Sequence, residues 1–434
     1  MVGTSRFGLL LGLSLVWGAA PAAAQKPKLT LAEAIARANR VQPGVISANG
    51  NIRNAQARIR SASGAYLPNL TLNANRADNF TEGPTFVEGV GTVTSGSYNR
   101  SIGTTLNSSV DLFAGFRRKG EKRAANANRD AAVAGYQDAE FQQQLTTTNT
   151  FFDVLAAEQL SLVAAASVRR AEEQLNVAVA KLHAGRGIRP DSLRSLVTLG
   201  TAQLQLVNAQ TAQATAEANL GRLVGEDGPV GAVEDSALYQ VLPVIDTTAL
   251  RAEAIANAPA VKSAEAQAAS ARAAITVSKA GYYPTLTLSG SAALNGSSRN
   301  SYTFFQSRGV TFGLNWPIFN RFQREQGIVS AQVSAEVADA NAAEARRQVL
   351  ASLTAALAAL DAARIRIGIS LTSVAAGQED LRVQQERYRL GVATIVDVLT
   401  SQEALSQAEV DVVTARFDYV RARAQLSALI GRTL

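Results

Sequence analysis

The sequence has no cysteine, one histidine (His183) and one methionine, at position 1. Disulfide frameworks, thiolate metal sites, cysteine nucleophiles and lipid attachment through a cysteine are therefore excluded. A single imidazole argues against zinc or serine-triad chemistry, and no Walker, zincin or nucleophile-elbow spacing occurs. No enzyme activity and no cofactor are expected. Proline is scarce, at 11 in 434 residues, and aromatics are 6%. Charge is thin as well: charged residues are 18% and the formal net charge is +7. No long basic run appears, which argues against nucleic acid as a partner. What remains is an aliphatic, Ala-rich chain too apolar to be disordered.

The first 24 residues read as a secretory signal peptide. Arg6 supplies the positive start, residues 9–16 the apolar core, and Ala22, Ala23 and Ala24 a small-residue cleavage site before Gln25. Its removal takes away one Arg and leaves a charge of +6. Beyond it no unbroken run of ~18 apolar residues occurs, so no membrane-crossing helix is expected. The expectation is an exported chain that, if it meets a membrane, does so as strands or at the surface.

An internal repeat organises the rest. Gly185, Asp191 and Leu193 match Gly391, Asp397 and Leu399, all 206 positions apart. Phe113 and Phe116 match Phe319 and Phe322 at the same offset, as do Leu223 and Gly225 with Leu429 and Gly431. Tyr66 and Pro68 match Tyr282 and Pro284 at 216, which places ten extra residues in the first copy. Two repeats follow, 25–225 and 250–434, joined by a linker at 226–249.

Each repeat opens with an Ala-rich helical segment carrying a proline break, Pro43 or Pro259. Period-two alternation then predicts strands at about 68–76 and 101–112, and at about 284–294 and 309–318. Leu70, Leu72 and Ala74 mark the first; Val310, Phe312 and Leu314 mark the last. The polar, glycine-rich stretches 77–100 and 295–308 read as loops. Each strand has near the ~9–11 residues that a tilted strand needs to cross a bilayer. Heptad spacing follows, as in Val349, Leu353, Ala356, Leu360 and Ala363. It predicts long helices at 116–184 and 322–389, with return helices at 191–224 and 395–430. At 1.5 Å per residue each long helix would run ~100 Å. Aromatics cluster at both strand ends. Tyr66, Phe113, Tyr282, Tyr283, Trp316 and Phe319 lie on the helix side, with Phe80, Tyr98 and Phe304 among those on the loop side. Such paired girdles suit a membrane barrel.

This order, with Gly391, Thr394, Asp397 and Leu399 in the second turn and the closing Leu429 and Gly431, resembles TolC-type outer membrane factors over essentially the whole mature chain. The resemblance implies an α+β membrane protein. It would be a homotrimer with a shared 12-stranded barrel, four strands per protomer, continued by a helical periplasmic tunnel. Four strands alone cannot close a barrel, and open edges are not tolerated in lipid. The implied function is a passive outer-membrane exit duct for drugs, small molecules or polypeptides. The implied partners are a periplasmic adaptor and an inner-membrane RND, ABC or MFS transporter.

In the family the helical turns form a closed periplasmic tip. Asp191 and Asp397 stand at the positions of the acidic gate, and Tyr388 at a position that ties neighbouring helices shut. Gly185, Arg186, Arg189, Arg389, Gly391 and Thr394 fall on the tip that meets the adaptor. The aspartates also suit helix capping: Thr394 and Asp397 have capping-box spacing, and Asp191 follows Pro190 in a first turn. Ala393 and Thr400 stand where the family's best-studied pattern has a basic residue and a second acid. Two alternatives use the same heptads, a secreted trimeric coiled-coil scaffold and a periplasmic adaptor subunit. Neither needs two strand pairs with aromatic ends.

Overall fold

A computed structural model describes residues 26–234 and 247–432. The signal-peptide region and residues 235–246 of the linker lie outside the described residues. Two runs of elements share one order. The first is α1 (Leu31–Val41), α2 (Pro43–Gly64), β2 (Asn69–Val87), β3 (Gly91–Ala114), α3 (Arg117–His183) and α4 (Arg189–Val224). The second is α5 (Thr247–Asn257), α6 (Pro259–Lys279), β5 (Thr285–Ser297), β6 (Phe305–Asn315), α7 (Gln323–Leu390) and α8 (Ile395–Ile430). Two short strands, β1 (Lys28–Leu29) and β4 (Gly231–Ala232), pair in parallel beside them.

Local chemistry sets the breaks. Gln42 and Ala258, each before a proline, are extended at ψ 127° and 122°, so each leading helix stops and a second starts with Pro at its first turn. Thr30 caps α1 with a full capping box to Glu33. The return helices α4 and α8 end on Gly225 and Gly431, both left-handed at φ 80° and 72°.

The main core lies mid-length, where α1 and α5 meet the long helices and the ends of α4 and α8. Phe151, Phe152, Leu220, Leu353, Leu426 and Ile430 are buried there. Burying such side chains stabilises by roughly 1.5–3 kcal/mol each. Buried Glu217 of α4 meets Lys26 at 2.5 Å, fastening the start of the described chain to the same region.

The strands form one antiparallel sheet in the order β2-β3-β5-β6, which leaves β2 and β6 as edges. Leu70, Leu72, Ile102, Leu106, Val310, Phe312 and Leu314 share one face by register, and this face is exposed in a single chain. The opposite face carries Asn73, Asn75, Asn107 and Thr311.

One expectation is corrected, and a second holds against a composition signal. Residues 77–100 are not a loop: β2 and β3 pair without interruption from Asn69↔Ser109 to Val87↔Gly91. Polar β-branched residues and cross-strand pairs such as Phe80↔Tyr98 sustain the ladder without an apolar face. In the same way 295–308 shrinks to the turn between Ser297 and Phe305. Second, 18-residue windows in α3 and α7 reach mean hydropathies of 1.5 and 1.3, enough by length and composition to cross a membrane. Alanine raises the mean without an unbroken apolar run. Each window belongs to a helix of 67 or 68 residues, or ~100 Å, packed against other helices: α3 against α2, α4, α6 and α8, and α7 against α6 and α8.

Candidate functional site at the helical tips

The two hairpin turns sit at the same end of the long helices, opposite the sheet. In the second, α7 ends at Gly391 with φ 84°, a left-handed conformation that a side chain would strain. Thr394 then caps α8. Its hydroxyl accepts from the Asp397 N–H, while Asp397 Oδ2 accepts from the Thr394 N–H and hydroxyl, each at 2.8 Å. The Thr394 N–H, and next its hydroxyl, hold the Asp397 carboxyl below the usual aspartate range. Beneath the turn Leu381, Tyr388, Ile395, Val398 and Leu405 form a buried cluster.

The first turn is built differently. Gly185 takes φ 67°, but the N-cap of α4 is Ile188, which has no side-chain cap and is 61% exposed. Pro190 stands in the first turn of the helix, and half-buried Asp191 follows it. Asp191 faces the other hairpin: the Tyr388 hydroxyl lies 3.5 Å from its Oδ2, long for a hydrogen bond. Burial, then the charge of Asp191, push the Tyr388 phenol up. Lys181 of α3 completes the contact. Its ammonium sits 3.8 Å from the Tyr388 ring centroid and also donates to the Tyr388 carbonyl. Sequence reasoning missed Lys181; its signal was a basic residue four positions before each tip glycine, Lys181 and Arg387.

The structure thus brings Asp191, Tyr388 and Lys181 together and keeps Asp397 with its own Thr394. Arg186, Arg189 and Arg389 are exposed around the turns, and Arg389 pairs with Glu386 at 3.1 Å.

At the other end of the helices the two repeats use one device. Phe116 and Phe322 both adopt left-handed backbone, φ 66° and 60°, just before α3 and α7. Each is held edge-on by the ring three residues before it, Phe113 at 5.6 Å and Phe319 at 5.5 Å. Arg118 stacks over Tyr66 at 4.6 Å, and its counterpart Arg324 over Tyr282 at 4.2 Å. Tyr283 adds a second ring to Phe116, and the Trp316 indole donates to the Tyr282 carbonyl at 3.2 Å. Tyr66, Tyr282, Tyr283, Trp316 and Phe319 nonetheless stay between 44% and 70% exposed.

A sheet with one apolar exposed face, prolonged on one side by ~100 Å helical hairpins, defines an outer-membrane channel protomer with a periplasmic extension. The model of the outer membrane efflux protein family matches residues 34–226 and 250–432, and the chain belongs to that family, whose members are transport ducts rather than enzymes. Protein CyaE of Bordetella pertussis is 28% identical over 424 residues, covering 94% of this chain and 84% of CyaE. Outer membrane efflux protein BepC of Brucella suis is 24% identical over 407 residues, covering 92% and 86%. Among solved structures, the outer membrane protein VceC of Vibrio cholerae superposes with a TM-score of 0.76 at 18% identity, over 93% of this chain and 96% of that one. The protein is an outer-membrane efflux duct.

Proposed function

We propose that three copies assemble into one 12-stranded barrel above a helical tunnel, and that the duct works passively between a periplasmic adaptor with its inner-membrane transporter and the outside. Drugs, small molecules or polypeptides are the cargo classes this serves, and an RND, ABC or MFS transporter supplies the energy. The observation that carries the assembly is the four-stranded sheet with both edges, β2 and β6, unpaired beside an exposed apolar face. Such edges are not stable in lipid, and pairing β2 of one copy with β6 of the next satisfies them.

The chain has no cysteine, so cysteine pairs, one in β2 and one in β6 of the same chain, scanned along both edges, provide the test. Within one chain these edges are three strand spacings, about 14 Å, apart, too far for a disulfide. Oxidation in native membranes should give covalent ladders that end at three chains. Monomers alone at every pair would end the proposal.

At the tip, Asp191, Tyr388 and Lys181 act as a latch that holds the first hairpin against the second, while Thr394 and Asp397 hold the second turn in shape. Gly185, Gly391, Arg186, Arg189 and Arg389 form the surface offered to the adaptor. The carboxylates of Asp191 and Asp397, six per trimer, favour cations at the mouth. In planar bilayers the closed trimer should conduct poorly and prefer cations. Tyr388→Phe and Lys181→Met should raise conductance and leave selectivity nearly unchanged; Asp191→Asn should alter both. Unchanged conductance in all three variants would refute the latch.

A further inference from the structure

The exposed face of the sheet changes character along its strands. Toward the helices it is apolar; toward the strand turns, the first charged residues met along that face of β2, β3 and β6 are all arginines. They are Arg76 after Leu70, Leu72 and Ala74, Arg100 beyond Ile102, and Arg308 beyond Val310. On β5 no charged residue follows on that face: Gly296 pairs with Ile102, and a Cβ there would meet the Phe304 ring at 2.9 Å, while Ala292 pairs with Arg308. From Arg308 to Trp316 is eight residues, about 20 Å across the bilayer for a strand tilted near 40°, approaching the roughly 25 Å apolar band of such barrels. The arginines therefore stand at the outer rim of the band, since the helices extend into the periplasm.

Two of them are held in a fixed arrangement. Arg76 Nη2 meets Asp78 Oδ2 at 2.8 Å, and Arg100 Nε meets Asp78 Oδ1 at 2.6 Å. The Tyr98 hydroxyl donates to the same Oδ1 at 3.0 Å and accepts from Arg100 Nη2 at 2.8 Å. Two guanidiniums thus share one carboxylate, which leaves one positive charge uncompensated within the trio, and Arg308 adds another. Planar guanidinium forks match phosphate oxygens, and a pre-positioned fork loses little freedom on binding.

We propose that Arg76, Arg100 and Arg308 form a binding rim for the phosphate groups of an anionic lipid in the outer leaflet, whose acyl chains lie on the apolar face beneath. Asp78 and Tyr98 position the first two. This inference rests on the barrel proposed above, with the apolar face toward lipid.

The test uses the full-length protein purified from membranes, with an acylated diglucosamine bisphosphate as probe and its dephosphorylated form as comparison. Binding is counted by native mass spectrometry, and chain number is read from the same spectra. The wild type should prefer the bisphosphate, and R76Q/R100Q should weaken its binding by about tenfold, the scale of a lost charge-assisted hydrogen bond. R76K/R100K, which keeps charge but not the fork, should fall between. R308Q, outside the Asp78 cluster, should give a smaller loss and serves should the double variants misfold. Equal binding of the two lipid forms, or an unchanged R76Q/R100Q and R308Q, overturns the proposal. Inorganic phosphate should displace the lipid only weakly; displacement at equal concentration would show a site for free anion instead and also overturns it. Failure of the barrel appears as monomers, whereas failure of the rim appears as trimers indifferent to lipid phosphate.

Discussion

The two tips occupy corresponding positions 206 residues apart, yet they end their helices by different means. The second is self-sufficient, with a Thr394–Asp397 capping box over a buried cluster that includes Tyr388. The first has Ile188 where the second has Thr394, no side-chain cap, and no such cluster beneath its turn among the described residues. Its Asp191 faces Tyr388 across the gap between hairpins. One residue type at the N-cap therefore separates two aspartates that share a motif position. Asp397 is engaged by its own helix, and Asp191 is available to another. The junctions at the far end differ in the opposite sense: Phe116 and Phe322, with Arg118 and Arg324, repeat one geometry closely. In the proposed reading, the junctions anchor both copies alike at the membrane, while the latch needs one side to reach and the other to receive.

The largest expected effect tests which tip carries the packing. Tyr388→Ala removes a buried ring and should cost about 3–5 kcal/mol of local stability, the range for large aromatic truncations. Leu182→Ala, at the corresponding position of the first tip but only half-buried, should cost about 1 kcal/mol. Hydrogen exchange of tip amides reads both. Equal losses would break the asymmetry. Next come the glycines, where the tips should agree. Gly185 and Gly391 both have positive φ and no atom within 4 Å of an added Cβ, so alanine at either should cost about 1–2 kcal/mol of backbone strain and nothing for space. Unequal costs would mean that the turns differ in backbone as well as in capping.

Exchanging caps is a smaller and more direct comparison. Thr394→Ala should cost about 1 kcal/mol, and Ile188→Thr should recover up to about that much for α4, because exposed Ile188 gives up little packing. Thermal denaturation of trimers carrying each change checks both signs. No gain from Ile188→Thr would place the difference in the turn geometry.

Much of this was legible in the sequence, and the misses have physical reasons. Long helices were readable because Val349, Leu353, Ala356, Leu360 and Ala363 keep heptad spacing, and these positions are buried.

 Ala356 itself is 1% exposed. Leu162 has the same spacing in α3 yet is 59% exposed in one chain, so heptad spacing alone did not show which positions the protomer buries by itself. The length of the β2–β3 hairpin was hidden because its outer half is rich in Ser, Thr, Asn and Gly, which reads as loop, while a backbone ladder needs no apolar face. At the tip, the sequence placed Asp191, Asp397 and Tyr388 at one end, but not that Asp397 caps its own helix while Asp191 faces Tyr388. The Lys181–Tyr388 contact spans 207 residues and joins two hairpins, which no local pattern encodes.

The smallest expected effect is a pH dependence that belongs to the second tip. Hydrogen bonds from the Thr394 N–H and hydroxyl keep the Asp397 carboxyl below its ordinary range. A carboxylate whose folded pKa is depressed contributes stability above its unfolded pKa, and that contribution fades as the pH falls through the folded value. The second turn should therefore be fully held at neutral pH and loosen only in acid, below the ordinary aspartate range. The Tyr388 phenol has the opposite sign. Burial and Asp191 raise it, so its contribution is present below the ordinary tyrosine range and is lost as the pH rises through the raised value. A fluorophore on a cysteine placed at Val392, which is 65% exposed in a chain without other thiols, should report both edges as a rise in mobility. Asp397→Asn should abolish the acid edge and keep the alkaline one, and Tyr388→Phe should do the reverse. An acid edge that survives Asp397→Asn would mean that another carboxylate governs the turn, and the assignment of Asp397 as its cap would fail.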